Sequence, residues 1–356
     1  MKKNVLLAVF LIFCIVVYSI SNLFFQENHT KKIHENPKHN IHKGVALTLL
    51  DPYNTDNFYD KNLPKIKEMG AELEVVTKVS IQSTNDSMPV NDPNIEDKFN
   101  RLFSKSKEYG VKVSVIKPHI MFPGDGFDRG TYNPSNTNDF FKRWKEIILY
   151  YAKVSHDEDV PFLSITCETS IITQNTYIPY WQEIINEIKQ KYPDVQVTMA
   201  LKKSDLDREI AYHEKGVISI LDYLDVVSLN MFPRVKRDYV GKNIIAPSDD
   251  AFVSVPGSYG FITSIKKVKE YFKKDVIITE TGSSPRSDFK KDYLNPFNFD
   301  QETPKNHRDQ NDWMKIVLDN LFLLKEVKGI YIWHIDQPFD FLDTKTADTI
   351  RKKYRN

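Results

Sequence analysis

From His42 onward the chain alternates between short runs of apolar and β-branched residues and longer stretches in which apolar positions recur every three or four residues. The short runs are "GVALTLL" (44–50), "ELEVVTKVS" (72–80), "VKVSVIKP" (111–118), "PFLSITCE" (161–168), "VQVTMA" (195–200), "LDVVSLNMF" (224–232), "DVIITE" (275–280) and "GIYIWHI" (329–335). Between them, stretches such as "IEDKFNRLFSKSKEYG", "DFFKRWKEIILYYAKVS" and "IPYWQEIINEIKQKY" carry one apolar stripe each, as a helix covering a sheet requires. The glycines ending "EMG" before 71 and "EYG" before 111 read as helix stops. Near-continuous apolar runs suit a parallel sheet covered on its outer face. Eight such units in about 315 residues predict an α/β chain folded as a (β/α)8 TIM barrel. A doubly wound open sheet is the alternative, but no G-x-G-x-x-G or Walker loop follows any run. The long connections, Pro233 to Gly260 and Ser283 to Asn306, follow the sixth and seventh strands, where such barrels keep their active sites.

The pattern before His42 is different. "MKKNVLLAVFLIFCIVVYSISNLFF" places Lys2 and Lys3 ahead of an uncharged run from Asn4 to Phe25, about the ~20 residues that a membrane span needs. Secretory signals have a shorter core and an A-x-A-like exit, for which Ser19-Ile-Ser21 is a weak candidate. Phe13 before Cys14 argues against a lipoprotein box. An uncleaved transmembrane anchor helix is therefore favoured over a cleaved signal. On either reading the lysines stay inside and the remainder is exported: membrane-held on the extracellular side, or secreted if the segment is cleaved. Residues 26–42 form a polar linker containing His29, His34, His39 and His42. No carboxylate or cysteine joins them at ligand spacing, so a solvated spacer is the reading preferred to a metal site. Residues 43–356 are then one domain.

Composition changes little in this picture. The 356 residues are 41% hydrophobic and 27% charged with a net charge of +1, ordinary for a globular domain and without the basic excess of a nucleic-acid binder. Cys14 lies in the apolar run, so it and Cys167 make no disulfide framework, and no Cys/His spacing suggests zinc.

The strand ends carry the candidate chemistry. The fourth run ends in Thr166-Cys167-Glu168 and the seventh in Thr279-Glu280-Thr281; the third ends in Lys117-Pro118-His119, and the eighth carries Trp333. A buried carboxylate at a strand end is expensive unless it is paired or does chemistry. Taken singly, each glutamate reads as an ion-pair partner, Trp333 as core, Lys117 as a glutamate's partner and His119 as a satisfied buried histidine. Two glutamates and an aromatic platform together are the parts of a retaining glycosidase, in which one carboxyl protonates the leaving oxygen and the other attacks the anomeric carbon.

These residues also carry a resemblance. From Lys43 to the C-terminus the chain resembles the clan of retaining (β/α)8 glycosidases with catalytic glutamates after strands four and seven, and within it the family 113 β-mannanase-like enzymes. "VKVSVIKPHIMFPGDGFDRGTYNPSN" is similar to that family's strand-three block, "FLSITCETS" to its acid/base segment, "VIITETGSS" to its nucleophile segment and "GIYIWHIDQP" to its strand-eight tryptophan segment. The resemblance implies Glu168 as acid/base and Glu280 as nucleophile. It implies that Lys117, His119 and Arg129 shape the sugar-binding mouth, that Trp333 floors the reacting sugar, and that Asp125 and Asp128 bind hydroxyls. Two positions depart from the pattern. Cys167 stands where related clans place an asparagine that hydrogen-bonds the sugar 2-hydroxyl. The end of strand six, Leu229-Asn230-Met231-Phe232-Pro233, lacks a tyrosine that supports the nucleophile, leaving Asn230 to replace its hydrogen bond. The function expected is a retaining glycoside hydrolase acting on a β-linked polysaccharide, mannan-like or a cell-envelope glycan. Its alternatives are a non-catalytic sugar-binding barrel and a transglycosylase. No metal or organic cofactor is needed, because two carboxylates suffice for the reaction.

Overall fold

The computed structural model describes residues 41–122, 128–286, 292–297, 302–335 and 338–355. The uncharged N-terminal run and Asp125 lie outside them, and no described helix is long and apolar enough to cross a membrane. Eight parallel strands build the barrel: β1 (His42–Thr48), β2 (Glu72–Ser80), β3 (Val113–Met121), β4 (Phe162–Cys167), β5 (Gln196–Leu201), β6 (Val227–Asn230), β7 (Val276–Thr281) and β8 (Val327–Ile332), with the two-residue strand Val90–Asn91 added antiparallel to β2. Each is followed by a helix: α1 (Asp56–Met69), α2 (Ile95–Tyr109), α3 (Thr137–Asp157), α4 (Ile178–Lys191), α5 (Lys203–Glu214), α6 (Phe261–Phe272), α7 (His307–Leu321) and α8 (Lys345–Arg355). Every barrel strand pairs in parallel with the next, and β8 pairs in parallel with β1. The sheet therefore closes into a barrel, as the alternation of runs and stripes predicts.

Local chemistry sets the helix limits. The Thr55 hydroxyl accepts from Phe58 N at the start of α1, and the Asn136 side chain accepts from Asp139 N at the start of α3. Gly70 and Gly110, the two stops read from the sequence, close α1 and α2 with φ of 75° and 64°, a left-handed turn that costs glycine nothing.

Side-chain alternation divides the strands into two faces. On β3, Ile116 and Ile120 join the large apolar cluster between sheet and helices, while Val115 belongs to a separate cluster with Phe162, Val226, Ile277 and Tyr331 that fills the barrel interior. Lys117 and His119 follow Val115 at two-residue steps, so they too point inward. β3 runs on to Met121, past the expected end at 118, which makes Lys117 an interior residue.

On β4 and β7 strict alternation would have turned Cys167 and Glu280 away from the axis. Ile277 faces inward and Ile278 outward, so Glu280 would face the helices. Between Ile278 and Glu280, β7 advances two residues while β6 advances one; between Ile278 and Thr281 it advances three while β8 advances two. β4 likewise advances three residues, Ser164 to Cys167, against two on β5. One extra residue in each strand is a β-bulge, a device that re-aims side chains beside active sites.

The two long connections are tied together. Val235–Lys236 in one and Tyr293–Leu294 in the other form a small antiparallel ladder.

Candidate active site

Glu280 reaches the barrel axis at the end of β7, its side chain only 8% exposed. Its Oε1 stands 2.7 Å from Lys117 Nζ, and Lys117 also meets Glu74 Oε1 of β2 at 2.5 Å and donates to Thr279 O at 3.3 Å. Lys117 and Glu74 are fully buried. One ammonium thus serves two carboxyls, and the three groups divide the charge unequally. Burial alone would raise Glu280, but the Lys117 charge outweighs it and holds the carboxyl at about 2. Burial dominates at Glu74, and with the Glu280 charge beside it lifts that carboxyl to about 8 against the pull of Lys117. Burial would also pull Lys117 down, but the Glu280 and Glu74 charges outweigh it and keep the ammonium above its ordinary value. At neutral pH the set is an ionised Glu280, a charged Lys117 and a protonated Glu74.

Glu168 follows β4 with φ of 55°, a left-handed conformation that costs a non-glycine residue ~1–2 kcal/mol. Asn230 at the end of β6 donates from Nδ2 to Glu168 Oε1 at 2.9 Å and accepts from Thr279 Oγ1 at 3.0 Å. The same Nδ2 lies 3.6 Å from Cys167 Sγ, and that sulfur lies 3.8 Å from Glu280 Oε1. Arg129 Nη1 stands 3.9 Å from Glu168 Oε2. Burial and the Glu280 charge raise the Glu168 pKa, partly offset by the Asn230 hydrogen bond and Arg129.

The structure distributes the expected roles differently in several places. Asn230, expected to support the nucleophile, hydrogen-bonds Glu168 instead. Arg129 lies by Glu168, and its Nε donates to Ile120 O at 3.0 Å. Lys117, expected to shape the mouth, lies beneath it with no exposed surface. Asp128 caps the turn at 129–131 through Gly130 N and pairs with Lys202, its side chain more than half exposed. Trp333 comes one residue after β8 and is half-buried. Its ring stacks at 5.9 Å and 15° on His119 and lies 5.1 Å from Lys117 Nζ. Burial and the Arg129 charge push His119 down to about 3, so its imidazole is neutral. Asp125 is outside the described residues. Gly282 lets β7 pass Trp333, since a Cβ there would come within 1.9 Å of Trp333 O.

Two features escaped the sequence reading. Glu74 sits inside the apolar run "ELEVVTKVS", and the cost of a buried carboxylate, applied there as it was to Glu280, would have flagged it. Phe232, Phe297 and Phe339 form an apolar wall beside Gly282, with ring separations of 4.8 and 6.2 Å. A surface hollow of about 410 Å³ lined by Phe103, Lys107, Gly110 and Asp159 lies instead at the opposite end of the barrel, where strands begin.

Comparison with known proteins agrees with this fold. The model of Glycoside Hydrolase Family 113 matches residues 52–354. A GH113 β-1,4-mannanase structure superposes with a TM-score of 0.69 at 17% identity, covering 89% of this chain and 99% of that one. The GH113 β-mannanase of Alicyclobacillus acidocaldarius gives 0.67 at 14% identity, over 88% and 97%. A β-D-glucuronidase of Dictyoglomus thermophilum gives 0.54 at 12% identity, over 89% of this chain and 50% of that one. At these identities the structural likeness speaks for the fold. No curated protein matches the chain.

Proposed function

Because the chain belongs to Glycoside Hydrolase Family 113 and is a glycoside hydrolase, we propose that it cleaves a β-linked, mannan-like polysaccharide with retention of configuration, with Glu280 as nucleophile and Glu168 as acid and then base. The observation that carries this reading is the split between two carboxyls that feel each other's charge. Glu280 is held ionised by Lys117 while Glu168 is pushed toward its protonated form. Opposed environments of this kind assign the acid and the base in a carboxylate pair.

In the first step a Glu280 oxygen attacks the anomeric carbon, the glycosidic bond breaks, and the Glu168 proton passes to the departing oxygen. Glu168, now ionised, takes a proton from water as that water attacks the same carbon and frees Glu280. Lys117 and Asn230 hold the two carboxyls through these steps, and Trp333 offers a ring face to the sugar. The left-handed Glu168 supports the same reading, because strained backbone persists where it serves the chemistry.

Mannan is the first polymer to test, since mannanases are among the structures that share the fold. In this reading the uncharged run from Asn4 to Phe25 holds the barrel outside the cytoplasmic membrane, near presented or exported polymer. N-terminal sequencing of mature protein that began at Asn22 would show cleavage instead. The functional test incubates the protein with β-mannan, β-glucan and envelope glycans and follows new reducing ends. Binding without new ends on every polymer would favour the sugar-binding barrel.

A further inference from the structure

We infer that the floor of the mouth is also a binding site for a thiophilic divalent cation such as zinc, held by His119, Cys167 and Glu280, and that its occupation shuts the enzyme. His119 Nε2, Cys167 Sγ and Glu280 Oε1 all lie within 4.8 Å of one another. Two edges of this triangle are short: His119 Nε2 to Glu280 Oε1 is 3.5 Å and Cys167 Sγ to Glu280 Oε1 is 3.8 Å. With Zn–S near 2.3 Å and Zn–N and Zn–O near 2.0–2.2 Å, a tetrahedral ion spaces its ligands roughly 3.3–3.7 Å apart, so the third edge needs at most about 1.5 Å of closure.

A second observation points to the same place. His119 is 2% exposed, and its Nε2, though 3.5 Å from Glu280 Oε1, makes no hydrogen bond of good geometry among the described residues. An unsatisfied buried nitrogen is costly, and a metal bond at Nε2 would remove the cost. Imidazole, thiolate and carboxylate together are a zinc-type donor set.

Lys117 is the opposing charge, 2.7 Å from Glu280 Oε1. It keeps Glu74 Oε1 at 2.5 Å and Thr279 O at 3.3 Å, so it retains partners when Glu280 turns to the metal. Binding forms the metal–sulfur bond and releases the Cys167 thiol proton to water. Thiolate and carboxylate then balance the dication, and Glu280 can no longer attack a sugar.

The full chain carrying Cys14→Ser, which leaves Cys167 as its one thiol, is titrated with Co²⁺ while the thiolate-to-cobalt charge-transfer absorption is followed. The expected result is one equivalent bound with that band, displaced by Zn²⁺. The band disappears in the Cys14→Ser/Cys167→Ser protein, and His119→Ala weakens binding by more than the about 100-fold that loss of an outer-shell partner can cause. Saturating Zn²⁺ should also raise the Tm of the Cys14→Ser protein, a readout that needs no change to the site. No thiolate band, a band indifferent to His119→Ala, or no rise in Tm would overturn the site. None of these readouts depends on hydrolysis, so they stand or fall apart from the glycosidase mechanism.

Discussion

At the scale of single residues, the decisive arrangement is one buried cation between two carboxyls. Glu74 in the folded chain titrates near 8, above its ordinary 4.5. The folded state therefore keeps a proton that the unfolded chain has lost. The stability this confers is complete below pH 4.5 and is lost as pH rises toward 8. Glu280 has the opposite sign: its contribution is present above 4.5 and is lost as pH falls toward 2. Glu74→Gln copies the protonated acid, so it should fold and should flatten the decline in Tm between pH 4.5 and 8. An unchanged slope would mean that Glu74 is ionised. Glu280→Gln should lower turnover by on the order of 10³-fold or more with little change in Tm, because Glu74 then ionises and keeps Lys117 paired. Only the double variant Glu74→Gln/Glu280→Gln strands the Lys117 charge, at ~3–5 kcal/mol; denaturant melts of the three proteins separate these outcomes. Asn230→Ala removes the hydrogen bond that lowers Glu168. The alkaline limb of its kcat/KM profile should move to higher pH, and a limb that stays in place would take the proton-donor role from Glu168.

At the scale of elements, the bulges on β4 and β7 bring Cys167 and Glu280 to the axis. They were not legible in the sequence, because both strands are buried throughout and an extra residue leaves no break in a run buried on both faces. β3 was legible as far as its expected end at 118, where outward Ile116 alternates with inward Lys117, but its continuation through His119 and Ile120 to Met121 was not. The position of Arg129 beside Glu168 was not, because a loop rather than a repeating pattern sets it. The close passage of β7 and β8 rests on Gly282, where an added Cβ has no room beside Trp333 O. Gly282→Ala should cost ~1–3 kcal/mol by overpacking and should also lower kcat, since the displaced segment carries Glu280 and Trp333. Full activity and Tm in that variant would mean that the passage is not a constraint.

At the scale of the whole molecule, closure of the barrel depends on its first and last elements. The Tyr354 hydroxyl of α8 lies 2.9 Å from Gly44 O of β1 and 3.0 Å from Ile330 O of β8, over the seam where the sheet closes. Tyr354→Phe should lose about 1 kcal/mol in a denaturant melt without a change in kcat, since the proposed catalytic pair lies at the other end of the barrel. The most direct test of the retaining mechanism is covalent trapping. The enzyme is incubated with the 2-deoxy-2-fluoro glycosyl fluoride of the sugar identified by the polymer panel, and the intact protein and its peptides are weighed by mass spectrometry. The expected result is one glycosyl adduct per chain, mapped to Glu280 and absent from Glu280→Gln. An adduct on another residue, or turnover of polymer with inverted product and no adduct, would contradict a nucleophilic Glu280.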